Sequence, residues 1–416
     1  MKLLVNVQMP LLPVLICVGF LAWPSDARAQ SNVGSGPLTG TLTETEPTSG
    51  VISLGPIKLA PGIVVREIGW DSNIYDERVN PKEDYVAAVL PDVALFSRTR
   101  FLKVSAYVGG EFVYYQKYES ERSNGHSERG RVDFLLSRMR PFVAGGQSIS
   151  RTRPNGEINT RANLKTNEVS GGFAFDLAAH SLVYVAAYQS ATRFRDAFEE
   201  GIELGTSLNR DGTEYSAGIK TDLTPLAALT LFGSYREDTF KGSPQRNSDS
   251  RLATASLKIG AEAVVSGVIT AVFRDFKAVD PLIRRYRGVV GSASIVYPFL
   301  EVGRFGLLAT RGLEYSFDEA EAYYLENTVS LSYTHRLFGN VDAQLRGARS
   351  TFDYGFRVGA VDRQDTLDLA SGGLGYNLRN RTRVSLNYEF SRRRSPALAE
   401  RNYDRRRLFT SWTYAF

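Results

Sequence analysis

The stretch that decides the fold is Leu408-Phe409-Thr410-Ser411-Trp412-Thr413-Tyr414-Ala415-Phe416, at the end of the chain. Its even positions hold Leu408, Thr410, Trp412, Tyr414 and Phe416, whereas the odd positions from Ser411 onward hold only Ser, Thr and Ala. A period of two is the pattern of a β-strand with two different faces. An aromatic-rich strand at a free sheet edge invites aggregation, but in a closed membrane barrel it is paired on both sides. We therefore expect one face to meet lipid and the other water. The alternative is a buried terminal strand of a soluble sandwich.

The same stretch resembles the C-terminal assembly signal of bacterial outer-membrane β-barrels. The residues that carry the resemblance are Trp412, Tyr414 and Phe416. It implies that the barrel assembly machinery recognises the chain and inserts it into the outer membrane.

The beginning of the chain has the features of a secretory signal peptide. Met1-Lys2 gives a short positive start, an apolar stretch follows from Leu11 to Trp23, and Ala27-Arg28-Ala29 forms an A-x-A cleavage site. The one cysteine, Cys17, lies inside the apolar stretch, so the mature chain would carry no thiol into an oxidising compartment. We predict a signal peptide over residues 1–29.

Composition also favours a membrane barrel. The chain has 416 residues, 43% of them apolar, and its mean hydropathy is -0.21. No apolar run of 18 residues follows the signal peptide, so no transmembrane helix is expected. A barrel wall needs only every second residue to face lipid. The net charge of +5 comes without a clustered basic face and aromatic platforms, so we expect no nucleic-acid partner.

The chain from residue 56 onward divides into candidate strands that alternate with turn-forming segments. This pattern predicts an all-β fold, a transmembrane antiparallel up-and-down barrel of about eighteen strands. Strand ends are the least certain part of such a prediction, so sixteen strands is the alternative count. The predicted strands are 57–71, 84–96, 100–116, 128–138, 141–152, 166–177, 181–195, 212–223, 226–240, 250–264, 267–278, 285–298, 303–317, 323–336, 340–353, 365–378, 382–393 and 403–416.

Short connections such as 139–140 alternate with long polar ones such as 153–165 and 196–211. Short periplasmic turns and long outer loops are typical of outer-membrane barrels, and an even strand count places both chain ends in the periplasm. Residues 30–55 are rich in Ser, Gly, Thr and Pro, which predicts a flexible periplasmic segment, with a pore plug as the alternative. The barrel itself is predicted over residues 56–416.

Eighteen strands imply a bore wide enough for an aqueous channel, so function should lie on the inner face. Mixed charge in a wet lumen orients polar or anionic solutes, although any lumen face must be polar. Arg311 has the parity of the lipid-facing residues of its strand, where a charge is unfavourable. This predicts a bulge at Gly312 or a position near the membrane interface. Strand parity predicts these pore-lining residues: Lys103, Glu111, Arg236, Arg274, Glu314, Arg346 and Glu389.

Two loop regions are further candidates. Arg392-Arg393-Arg394 and Arg405-Arg406-Arg407 flank the last outer loop, and guanidinium clusters suit phosphate or carboxylate groups of lipopolysaccharide or an acidic polymer. The alternative is a solvated basic loop. The third outer loop carries basic residues around Pro154-Asn155-Gly156, a turn that either folds inward as a constriction or serves only as a turn.

Where the first strand gives way to the first outer loop, at Gly69-Trp70-Asp71-Ser72-Asn73-Ile74-Tyr75, the chain resembles the putative β-barrel porin 2 family. The motif residues are Gly69, Asp71, Ser72, Asn73 and Tyr75. Asp and Asn are turn formers, so a structural role for them is expected. The resemblance implies an outer-membrane barrel, often associated in its family with exopolysaccharide production and export. In such a barrel the strand ending at Phe416 pairs with the strand leading into Asp71.

Catalysis is not expected. The three histidines are His126, in a predicted outer loop, and His180 and His335, at predicted periplasmic turns, and none has an evident serine and carboxylate partner. No His or Cys spacing suits a metal, and no cofactor is predicted. We expect an outer-membrane pore that passes polysaccharide or other polar solutes, with lipid, lipopolysaccharide and periplasmic export components as partners. The alternative is a non-conducting barrel that displays surface loops for adhesion or assembly.

Overall fold

Eighteen antiparallel strands, each paired with the next along the chain, close into a single all-β barrel. The computed structural model describes residues 52–300, 302–378 and 382–415. The fold class and the count of eighteen strands predicted from the sequence are thus confirmed. The strands are β1 Ile57–Asp71, β2 Asp84–Arg98, β3 Leu102–Tyr115, β4 Ser123–Phe134, β5 Met139–Thr152, β6 Ala162–Ala178, β7 Ser181–Arg195, β8 Arg210–Thr224, β9 Ala227–Phe240, β10 Ser248–Ile259, β11 Ser266–Ala278, β12 Tyr286–Phe299, β13 Gly303–Tyr315, β14 Tyr323–Phe338, β15 Val341–Asp353, β16 Gln364–Leu378, β17 Thr382–Arg394 and β18 Tyr403–Ala415.

The barrel closes where β1 pairs with both β2 and β18. The register between β1 and β18 runs from Gly62 opposite Ala415 to Asp71 opposite Arg407. It shifts between Val65 and Ile68, where an extra residue bulges out of β1. The strand that begins the barrel and the strand with the aromatic pattern are therefore neighbours, as predicted.

Alternating side chains give the wall two chemically different surfaces. On β17, Leu386 and Tyr388 are exposed on the outside, whereas Ser385 and Asn387 are buried on the inside. The inner side chains bond to each other, with the Asn387 Nδ2 donating to the Ser385 Oγ at 3.0 Å. The rings of Trp412 and Tyr414 stack outside at 6.2 Å, close to one rim. This arrangement suits lipid outside and water inside.

The two rims of the barrel differ in the length of their connections. We call the rim with the short connections the turn end and the other rim the loop end. The connection 196–209 at the loop end contains a small hairpin, Phe198–Glu199 with Ile202–Glu203, and the helix Leu204–Leu208. The loops at the loop end are 72–83, 116–122, 153–161, 196–209, 241–247, 279–285, 316–322, 354–363 and 395–402.

The sequence prediction is wrong around β4. That strand was predicted over 128–138, but it runs from Ser123 to Phe134, so His126 lies on a strand and not in a loop. Asn124 and Gly125 look like turn residues, but the ladder with β3 holds them in a strand. The turn predicted at 139–140 is likewise displaced, because Met139 begins β5 and Ser137 takes the left-handed turn conformation at φ 35°. His335 lies within β14 and not in a turn.

The bulge predicted at Gly312 is absent, because β13 and β14 pair without a shift from Gly303 to Tyr315. Arg311 instead donates from its Nη1 to the Asn327 Oδ1 at 2.6 Å. Asn327 in turn donates to the Asp353 Oδ2 at 2.9 Å. These groups form a polar patch on the outer surface near the loop end, which satisfies the charge without a bulge.

The predicted signal peptide, 1–29, lies outside the described residues, as does Phe416. Most of the predicted flexible segment, 30–55, lies outside them too. Its described end forms a short strand, Ile52–Leu54, that pairs with β1. Within the described ranges, no helix is both long and apolar enough to span a membrane.

Candidate functional site in the barrel lumen

The predicted pore-lining residues point to the inside of the wall. Arg236, Arg274, Glu314 and Glu389 are shielded from solvent there. Arg346 donates to the inward Ser330 Oγ at 3.0 Å, and Glu111 accepts from Arg66 at 2.7 Å. Lys103 shares the parity of the buried Ser105. The seven residues do not form one site, because Arg236 and Arg274 belong to one cluster, Glu111 and Glu389 to another on the opposite wall, and the others lie elsewhere on the wall.

The first cluster lies on β8, β9 and β11. Arg236 contacts Asp238 through two bonds of 2.9 Å each, and its Nη1 lies 3.8 Å from the Glu214 Oε2. The Tyr315 hydroxyl from β13 donates to the Asp238 Oδ2 at 3.0 Å. Arg274 donates to Ser250 on the next strand at 3.2 Å. These charged and polar side chains therefore form a network that links neighbouring strands on the lumen side of the wall.

The second cluster lies at the seam of the barrel. Arg407 donates to Glu389 at 2.6 Å and to Glu67 at 3.1 Å. Arg66 of β1 pairs at 2.7 Å with Glu111 of β3, which lies on the far side of β2. Opposite charges thus alternate across β17, β18, β1 and β3, which stabilises the wall where the two ends of the barrel meet.

The motif at the end of β1 builds the seam. The Asp71 carboxylate accepts the Asn73 backbone N–H at 3.0 Å and two bonds of 3.0 Å from the Arg405 Nε. The Asn73 side chain exchanges bonds with the Glu77 backbone and also donates to the Asp404 carbonyl. Asp71 and Asn73 are both buried. Their role is thus to fold the first loop and to fasten it to β18.

The other motif residues support the same junction. Ser72 exchanges bonds with the Arg406 backbone, at 2.9 Å from its own N–H and 2.8 Å to its Oγ. A Cβ on Gly69 would lie 2.1 Å from the Leu408 carbonyl oxygen, so only glycine allows this approach of β1 to β18. The Tyr75 ring packs edge-on against Tyr118 at 5.5 Å.

The two arginine triplets do not form one basic surface, because strand alternation divides each of them. Arg392, Arg394 and Arg406 point outward, whereas Arg393, Arg405 and Arg407 point into the lumen. The inward arginines are buried in ion pairs. The sequence prediction treated each triplet as one surface cluster and missed this division, although the period of two contains it.

The third loop, 153–161, crosses the lumen. It leaves the wall between β5 and β6, yet Gly156 at its tip lies against the Phe352 ring of β15, about half the circumference away. Arg393 of β17 donates from its Nη1 to the Gly156 and Glu157 carbonyl oxygens at 2.8 and 3.3 Å. The Asn155 side chain accepts the backbone N–H groups of Glu157 and Ile158, which shapes the tip. The loop therefore spans the bore from wall to wall.

Glu157 is the central group of this crossing. Its carboxylate accepts the Ser316 hydroxyl at 2.8 Å and the Phe317 backbone N–H at 3.1 Å. Burial raises the pKa of Glu157, although the nearby Arg401 and these two hydrogen bonds act in the opposite direction. Nothing in the sequence distinguishes Glu157 from a solvated loop acid, apart from its place directly after the Pro-Asn-Gly turn.

Two further loops fold inward beside the third. We call the segments 153–161, 196–209 and 316–322 the lumen plug. Ile158, Leu204, Leu208 and Phe317 of the plug are at most 2% exposed. They pack in one cluster with aromatic side chains of the wall strands, which include Phe194, Phe240, Phe276, Tyr315 and Tyr323. An apolar cluster thus fills the lumen near the loop end, where the sequence predicted only polar loops.

Arginines link the lumen plug to neighbouring loops. Arg246 donates to the Ala322 carbonyl at 2.9 Å and to the Ser316 carbonyl, and burial lowers the pKa of Arg246 to about 10. Arg401 pairs with Glu200 at 2.7 Å and lies over the Phe317 ring. Charge-assisted bonds of this kind, in a region shielded from water, hold the loops in one arrangement.

The histidines are far apart along the chain, on β4, at a turn and on β14. His126 lies 3.8 Å from Glu128, and His335 bonds through its Nδ1 to the Tyr333 hydroxyl at 2.9 Å. Among the residues that the structure describes, no group of three or more His, Cys, Asp or Glu side chains is placed to hold a metal ion.

A closed barrel of eighteen strands with an apolar exterior, charged walls and inward loops defines a porin-like outer-membrane barrel. The sequence profile described as putative beta-barrel porin 2 matches residues 53–416, and the chain belongs to that family. No curated protein matches the chain in sequence.

Solved structures with this fold include the Pseudomonas aeruginosa porin OccK2 (OpdF) in complex with glucuronate. It is 11% identical, the match covers 86% of this chain and 98% of that one, and the TM-score is 0.50. A BenF-like porin from Pseudomonas fluorescens Pf-5 is 10% identical over 86% of this chain and 99% of its own, with a TM-score of 0.48. At such identities the likeness is one of fold.

Proposed function

We propose that the chain is a gated outer-membrane pore for polar solutes, in which the third loop controls passage at the loop end. The observation that carries the proposal is the crossing of the lumen by this loop, from β5 and β6 to Phe352 on β15. A loop fastened across a bore narrows the path and selects solutes by size and charge. Arg393 and Ser316 hold it through individual hydrogen bonds, which a local motion can break.

The same observation weighs against the alternative of a barrel that displays surface loops. Loops built for adhesion should extend outward, whereas Ile158, Leu204 and Phe317 are buried inside the barrel. The apolar cluster around these residues favours a second form of the alternative, a barrel that does not conduct at all. Conductance separates the two readings.

The purified full chain in a planar lipid bilayer is the first test. We expect discrete channel openings, and we expect Arg346→Ala, which removes an inward charge from the middle of β15, to change their ion selectivity. Val329→Ala, on the outward face of β14, is the control and should leave selectivity unchanged. A bilayer that stays closed at every voltage would reject the pore.

We propose polysaccharide as a larger solute of this pore, with periplasmic export components as partners. The protein itself would reach the outer membrane by signal-peptide-dependent secretion and insertion by the barrel assembly machinery. A polymer needs the lumen plug to withdraw further than a small solute does. A deletion strain that loses secreted polymer but keeps uptake of small sugars supports export. Loss of small-sugar uptake with normal polymer secretion supports a general porin instead. No enzymatic activity is part of this proposal.

A further inference from the structure

A row of charges lies on the outer surface near the loop end. It runs across four neighbouring strands, where Arg349 of β15 pairs in register with Asp368, Asp368 with Arg392, and Arg392 with Asp404. Arg394 and Arg406 lie on the same outward face. We call these six residues the outer arginine row. Four arginines against two aspartates leave the row with an excess of positive charge.

The aspartates hold the arginines in place. The Asp368 carboxylate accepts two bonds from Arg349, at 2.6 and 3.0 Å. The Asp404 carboxylate accepts one bond of 3.0 Å from Arg392 and another from Arg394. A guanidinium has five N–H donors, and these contacts take only some of them. The row thus presents oriented donors on the outside of the barrel.

These arginines are accessible from outside. The side chain of Arg349 is 67% exposed, and those of Arg392 and Arg394 are 47% and 42% exposed. Their neighbours in sequence behave differently, because Arg393 points inward and is 1% exposed. The row is therefore a surface feature and takes no part in the lumen networks.

The row lies at a fixed distance above the lipid-facing surface. Four residues toward the turn end from Arg349, Arg392 and Asp404 are Leu345, Tyr388 and Leu408, all outward and exposed. Four strand residues span roughly 13 Å along the strand, and the strand tilt of this barrel class reduces the height to about 10 Å. That is the level of lipid headgroups beside the apolar band.

We infer that the outer arginine row binds phosphate groups of the outer-leaflet glycolipid. Long loops of this barrel class face the cell exterior, where that lipid carries phosphates at headgroup level. A guanidinium fork matches phosphate oxygens in both geometry and charge. A soluble acidic polymer is less suited, because the row flanks the lipid surface and not the bore.

The test measures binding of phosphorylated lipid A to the purified full chain in detergent micelles. The variant replaces Arg349, Arg392 and Arg394 with Gln, which removes charge and keeps most of the side-chain length. We expect it to bind at least about tenfold more weakly, a change of about 1.4 kcal/mol. Arg140→Gln is the control, since Arg140 is 45% exposed and paired with Asp176, but lies at the turn end and shares the strand parity of the buried Phe142 on the inner face. Its affinity should match the unaltered chain.

Two further ligands identify the source of the phosphate. Lipid A stripped of its phosphates should bind about as weakly to the unaltered chain as lipid A binds to the triple variant. Polygalacturonate, a soluble acidic polymer, should not displace the lipid. Equal affinity of the triple variant, equal binding of stripped lipid A, or displacement by polygalacturonate would each overturn the inference. If the triple variant does not fold, Arg349→Gln alone should weaken binding about threefold, and an unchanged affinity overturns the inference as well.

Discussion

Arg393 should hold the gate closed, and its neighbour Arg392 offers a matched control. Both are arginines on β17, but Arg393 points into the lumen and donates to the Gly156 and Glu157 carbonyls, whereas Arg392 points outward. In Arg393→Ala the third loop loses these charged hydrogen bonds. The ion pair between Arg393 and Asp365 lies within the wall and does not contribute to the difference between closed and open loop positions.

Hydrogen bonds to charged groups contribute about 1.5 to 3 kcal/mol each when buried. Both bonds leave the same Arg393 Nη1 and the second is long at 3.3 Å, so we count them together as one bond of about 2 kcal/mol, which shifts the ratio of open to closed channels by about 30-fold. Single-channel recording in planar bilayers measures this ratio directly. Arg392→Ala should change it less than twofold, because its side chain does not reach the loop.

Thermal unfolding of both purified variants and of the unaltered chain, in one detergent, establishes that both variants fold. Arg393 does not hold the loop closed if Arg393→Ala and Arg392→Ala give the same open fraction as the unaltered chain. An equal rise of the open fraction in the two variants would also rule out this role of Arg393, because a general effect of charge loss would then explain the result.

Three other predictions concern the seam and the gate. In Asp71→Ala the buried Arg405 loses its main partner, so the free energy of unfolding should fall by about 3 kcal/mol or more, measured by urea denaturation in lipid vesicles. Gly69→Ala should impair folding and assembly, because its Cβ would overlap the backbone of β18, whereas Gly347→Ala meets no atom within 4 Å and should assemble normally; heat-dependent gel mobility reports both. Burial raises the pKa of Glu157, so the closed loop holds a proton on Glu157 more tightly than the open loop does. Closure is therefore most favoured at a pH below the ordinary pKa of a carboxyl group, and it weakens as the pH rises through the raised pKa of Glu157. Recording at stepwise pH should show this trend, and Glu157→Gln should abolish it; a trend that persists in the variant contradicts the assignment.

The strands of the wall can be predicted from the sequence because lipid-facing and lumen-facing side chains alternate along each of them. Strand alternation and connection length identify the eighteen strands of the wall and place Arg236 and Glu389 on the inner face. The prediction fails where neighbouring strands override local turn signals, as at Asn124 and Gly125 in β4. Periodicity is a local signal, and pairing across strands is not.

The lumen plug could not be predicted in the same way. Glu157 contacts Ser316 and Arg393 only because the third loop crosses the barrel. The alternation of side chains along a strand carries no information about contacts between residues so far apart in the sequence. A long polar segment normally indicates a solvent-exposed loop. The loop 196–209 instead folds inward, and its Leu204 and Leu208 are buried. The inward position of the third loop was one of two alternatives that the Pro-Asn-Gly turn left open.

The most direct test of a gate formed by the third loop is the single-channel conductance of a chain in which residues 154–160 are replaced by a short glycine linker. The replacement removes the segment that reaches Phe352 and Arg393 and leaves all eighteen wall strands in place. If the third loop narrows the pore, these channels have clearly larger conductance than those of the unaltered chain and discriminate less between small and large solutes. Equal conductance in the two proteins, or no conductance in either, would contradict it.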